Sequence, residues 1–195
     1  RRLALACLVY PFGTGTSCAH APIEGIGTFY NGVLHPVLVP SHLLLLIATG
    51  CLLGQFAPGS SRLGLPVFLV SLCLALASTV YIGMAVPDWT LPAASVLAGT
   101  VVAVGRPTGN AIYVIFALAA GTLVGLTSAP DGELAAAPGL ALVGTALGGA
   151  AIVIGSGGVA AVATSDWPKI AIRVLGSWIA ASSLMILAFE WTKIA

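Results

Sequence analysis

Six long apolar runs dominate this chain: Leu43 to Phe56, Leu63 to Val86, Leu91 to Val104, Ala111 to Leu126, Leu140 to Ala163 and Ile170 to Phe189. Breakers separate them, among them Pro58-Gly59, Pro87-Asp88, Arg106-Pro107, Pro130-Asp131-Gly132 and Trp167-Pro168. A membrane-crossing helix needs about twenty apolar residues, so the shorter runs must borrow from their flanks. The runs are continuous rather than alternating, which excludes an outer-membrane β-barrel and leaves a helical bundle. Composition agrees. Hydrophobic residues make up 58% of the 195 and charged residues 7%, against about 25% charged in a soluble domain. A net charge of +1 with no basic patch excludes a nucleic-acid partner. The expected fold is an all-α membrane protein: six transmembrane helices, a short re-entrant element, and an N-terminal signal-like or anchor segment.

That segment, residues 1–19, has a basic start at Arg1-Arg2, an apolar run from Leu3 to Phe12, and the small residues Ser17-Cys18-Ala19. This is the form of a secretory signal, although retention as an anchor fits as well. Residues 20–195 then make a single transmembrane domain. Cys18 stands in this segment with Cys7. Cys51 and Cys73 lie in apolar runs, where a free cysteine behaves as a small hydrophobe, and no CxxC occurs.

The loop charges alternate. Arg62, Arg106 and Lys169 fall in every second loop, and Asp88, Asp131 and Glu133 in the others. Positive-inside orientation puts the first set in the cytoplasm and both ends of the six-span bundle outside. By parity, Pro22 to Pro40 cannot cross. It should be re-entrant or interfacial, broken by Pro36 and Pro40, with Ser41 capping the helix that follows. Irregular backbone at membrane depth lines a cavity or is buried in protein, so this element is a candidate for function.

All three histidines, His20, His35 and His42, lie in this early stretch with Glu24 as the nearby carboxylate. Interfacial histidines commonly reach water or cap carbonyls. Clustered imidazoles with a carboxylate also suit a divalent transition metal: Ni²⁺, Cu²⁺, Co²⁺ or Zn²⁺. A hairpin between His35 and His42 would bring their rings together, and His20 as a processed N-terminus would offer an amine beside its ring.

The stretch His20-Ala21, Gly32-Val33-Leu34-His35-Pro36 and Ser41-His42-Leu43-Leu44, on through Gly50 and Gln55, resembles the HupE/UreJ family. Leu65-Pro66-Val67-Phe68 and Ala94-Ser95-Val96-Leu97-Ala98-Gly99 are similar to its later helices. The resemblance implies a small multi-pass protein of the bacterial inner membrane, linked to hydrogenase and urease maturation and regarded as a nickel permease. Its signature is His, five residues, Asp, His, then a Leu-rich helix; here Ser41 stands for the Asp. Its second, His-rich motif aligns with Phe116 to Gly125, where Ala120, Thr122 and Val124 replace three histidines while Gly121 and Gly125 remain. The metal ligands implied are His35 and His42, helped by His20 or Glu24.

Gly121 with Gly125 and Gly144 with Gly148 form small-xxx-small pairs that let helices pack closely. Arg173, about one turn inside the last span, should snorkel to the cytoplasmic face. No catalytic set is assignable, so an enzyme is not expected. Two functions lead, handling or transport of a divalent metal and a structural or assembly role in a complex with other membrane subunits; passage of a small neutral molecule has only the apolar interior behind it.

Overall fold

The computed structural model describes residues 23, 25–57, 59–81, 86–129 and 137–194. These form seven helices and no strand: α1 Gly27–Leu38, α2 Pro40–Gln55, α3 Gly59–Thr79, α4 Thr90–Val104, α5 Asn110–Leu126, α6 Pro138–Ala161 and α7 Asp166–Ile194. Each of the six apolar runs carries a helix, so the membrane-protein class stands. Six spans are a different matter. By length and composition α3, α6 and α7 can cross a bilayer, and α1 with α2 can make a fourth, bent span. Helices α4 and α5 have 15 and 17 residues. At 1.5 Å per residue they extend only about 22 and 26 Å, short of a hydrocarbon core of about 30 Å.

Proline sets the helix boundaries. Pro40 and Pro138 occupy the first turns of α2 and α6, where the missing N–H has no partner to lose. Pro40 also drives Val39 before it out of the α region, to φ −95° and ψ 106°. The chain therefore turns by 75° between α1 and α2.

Two expectations for this region need correction. The stretch before Pro40 is helical rather than irregular, with Pro36 inside the last turn of α1. Ser41 is not the cap: Val39 holds that position, no side chain caps the helix, and Ser41 is already helical. In the second apolar run, Leu63 to Val86, helix α3 ends at Thr79, and residues 82–85 lie outside the described residues.

Pro36 is accommodated by a neighbour. Having no N–H, it leaves the Gly32 carbonyl without its helical donor. The Thr145 hydroxyl of α6 lies 3.2 Å from that oxygen and 3.0 Å from the Ala141 carbonyl of its own helix, and donates between them. Close approach of the two backbones makes this reach feasible. A Cβ on Gly32 would fall on the Ala141 carbonyl, and one on Gly144 or Gly148 would fall on the carbonyls of Phe29 or Val33.

Helix α2 is the hub. It packs against every other helix, and ten of its residues, from His42 to Gly54, are buried. Gly50 and Gly54 meet Val153 and Gly157 of α6, so α2 and α6 run parallel. Gln55 Nε2 donates to the Val102 carbonyl near the end of α4, 3.2 Å away, so α4 runs the same way. Helix α7 lies antiparallel on α4, with Gly99 and Gly176 against each other's backbones. Gly121 and Gly125 of α5 sit on Phe68 to Leu76 of α3, in parallel. Thus α2, α4 and α6 descend while α3, α5 and α7 ascend. The outward surface is apolar: Trp178, Met185 and Phe189 of α7 are each about 70% exposed, as side chains facing lipid are.

This alternation gathers Arg62, Arg106, Lys169 and Arg173 at one end of the bundle. Arg173 does more than reach solvent. Its Nε donates to the Ala103 carbonyl at 3.0 Å, tying a cation to the C-terminus of α4. Gly105, at φ +61°, ends α4 in the left-handed conformation, and a Cβ there would strike the Arg173 side chain. A cavity of about 370 Å³ opens at this end, lined by Gln55, Phe56, Gly105, Ala160, Ala163, Lys169, Ile172 and Arg173.

Candidate metal centre

The opposite end holds His35 and His42. The 75° bend at Val39 sets α1 across the start of α2, and side chains seven residues apart meet at it. The rings of His35 and His42 lie with centroids 5.2 Å apart and planes at 56°. His42 is buried, 1% exposed, and His35 is half-buried. The spacing suits a shared ion. Metal–nitrogen bonds of about 2.0–2.1 Å put one ion within reach of two rings at this separation.

Bonds from outside the pair hold the α1 backbone and the His42 ring. The Asn31 side chain, buried on α1, accepts from Ile23 N at 2.7 Å and donates to the Ile23 carbonyl at 3.0 Å. It thereby pins the strand of chain that leads into α1. At the other end of α1, Val39 N closes on the His35 carbonyl at 3.2 Å. His42 Nε2 lies 2.8 Å from Thr127 Oγ1, at the C-terminus of α5. Thr127 is 85 positions away in the chain, and nothing in the sequence marks it.

His20 and Glu24, the other two candidate ligands, lie outside the described residues. Among the described residues, no three His, Cys, Asp or Glu side chains come together to hold a metal. Cys51 is buried and Cys73 exposed, both as free thiols. On α5, Ala120 and Val124 are fully buried. Val124 lies one turn before Thr127, the C-cap of α5, so it is close in sequence and fold to the His42 contact.

A membrane-embedded helical bundle, with paired imidazoles where a bent helix pair meets the end of a third helix, defines the class. The family profile described as HupE / UreJ protein matches residues 8–186. The chain belongs to the HupE/UreJ family, which is associated with nickel or cobalt transport or accessory function rather than with catalysis. No curated protein and no solved structure matches it.

Proposed function

We propose that this protein handles a divalent transition metal, nickel by family, and that His35 and His42 make its first contact with the ion. The observation that carries this reading is the 5.2 Å approach of the two rings across the bend at Val39. Its setting supports it: the pair lies at the end away from Arg62, Arg106, Lys169 and Arg173, which positive-inside orientation assigns to the outer side of a bacterial inner membrane. His20 and Glu24 are candidates to complete the coordination. In this reading α4 and α5 also cross, giving six spans, with local thinning of the bilayer or flanking residues making up their length.

A second reading has its own observation. The described residues supply two imidazoles, and of the three α5 positions that the resemblance matches to histidine, Ala120 and Val124 are buried core and Thr122 is a partly buried threonine. A protein without a second station for its ion would serve as a structural or assembly subunit of a larger membrane complex. Proteoliposomes loaded with a nickel-sensitive dye separate the two readings. Transport predicts uptake that His42→Ala abolishes. Absence of uptake by well-folded wild-type protein favours the assembly role.

A further inference from the structure

The hydrogen bond beneath His42 has a direction. Thr127 Oγ1 carries one proton, and its two close neighbours are the Leu123 carbonyl oxygen at 2.7 Å and His42 Nε2 at 2.8 Å, with the Val124 carbonyl farther off at 3.4 Å. A carbonyl oxygen can only accept, so an oxygen–oxygen approach that close needs the hydroxyl proton between the two atoms. The hydroxyl then turns a lone pair to the imidazole, and Nε2 must bear the ring proton. In a neutral ring Nδ1 is left as the acceptor. The donor side is firmly placed, since Thr127 N also binds the Leu123 carbonyl, at 3.1 Å, and closes the last turn of α5.

We infer that Thr127 is a positioning residue that fixes His42 as the Nε2–H tautomer, so that a divalent metal beside His35 takes His42 through Nδ1. The tautomer stands on the hydrogen bonds alone; the ligating atom rests on the metal reading above. The arrangement is that of a metal-binding imidazole oriented by an outer partner on its second nitrogen, with a hydroxyl in place of the usual carboxylate or carbonyl. It also makes the end of α5 part of the site without supplying a ligand.

The chain has three histidines, so ¹⁵N spectra of histidine-labelled protein contain few ring signals. His42→Gln identifies those of His42. At about pH 8, above the ordinary imidazole range, wild type should show a protonated Nε2 and an unprotonated Nδ1 for His42. Thr127→Val should populate both tautomers, and Thr127→Ser should restore the single one. Diamagnetic Zn²⁺ should move the Nδ1 signal and leave Nε2 protonated, with affinity about tenfold weaker in Thr127→Val, the lower end of such losses, and near wild type in Thr127→Ser. A wild-type Nδ1–H ring overturns the inference even if Thr127→Val does not fold. So does a Thr127→Val spectrum like wild type, or Zn²⁺ bound through Nε2. If the Nε2–H tautomer is present and wild type binds no metal, the metal reading and the assignment of Nδ1 fall together, while the positioning role of Thr127 stands.

Discussion

The bond from Thr145 to the Gly32 carbonyl gives a quantitative test of how α1 is held. Valine matches threonine in shape, so Thr145→Val keeps the α6 packing and removes only the hydroxyl. The Ala141 carbonyl keeps its backbone donor within α6. The Gly32 carbonyl cannot, because Pro36 has no N–H to give it. An abandoned buried acceptor costs about 1–3 kcal/mol in water-soluble proteins, and hydrogen bonds between membrane helices average about 0.6, with a maximum of about 1.7 kcal/mol. At 3.2 Å, with the proton shared between two carbonyls, about 1 kcal/mol is expected, or about a fivefold shift in the unfolding equilibrium. The assay is reversible SDS unfolding of purified protein in mixed micelles. Pro36→Ala supplies the controlling arm. It restores an N–H to Gly32, so Thr145→Val should cost close to nothing in that background, a coupling of about 1 kcal/mol in the double-mutant cycle. A Thr145→Val cost that is the same with and without Pro36 would refute the reasoning. Thr145→Ser should resemble wild type.

Three further outcomes follow from the packing and the charges. Gly148→Leu drives a side chain into the Val33 backbone, so it should part α1 from α6 and cost more than about 2 kcal/mol in the same assay, whereas Gly155→Leu, at a position open to the surroundings, should be nearly neutral. Single cysteines beside Asp88 should react with a membrane-impermeant reagent applied from outside, and cysteines beside Arg106 should not; the reverse labelling would invert the topology. Ser41→Asp introduces a carboxylate next to His42 and should tighten Ni²⁺ binding about tenfold by calorimetry, while an unchanged isotherm would mean that position 41 does not face the ion.

Much of the architecture was legible in order and composition, because apolar runs bounded by proline and glycine can only be helices in a bilayer. The small pairs Gly121 with Gly125 and Gly144 with Gly148 likewise announced close packing, although not which helices they join. The α1 region was harder to read. Pro36 and Pro40 look alike as breakers in sequence, yet one sits in the last turn of a helix with its orphaned carbonyl met by Thr145, and the other starts the next helix. Only tertiary contact distinguishes them. The same limit hid the role of Ser41, since proline at the first helical position replaced a side-chain cap. The nearness of His35 and His42 could be read from the turn between them. Thr127 could not, because a threonine at a helix end has many ordinary uses and its partner is 85 residues away.

The central claim is that His35 and His42 hold one divalent metal between them. Its most direct test is calorimetric titration of Ni²⁺ into the purified full chain in detergent, alongside His35→Ala, His42→Ala and the double variant, with circular dichroism verifying that each is folded. The account predicts one ion per wild-type chain. Each single variant should lose most of the affinity, and the double variant should lose little more than either, because both rings serve one ion. Equal binding by wild type and the double variant, or independent and additive losses, would contradict a shared site.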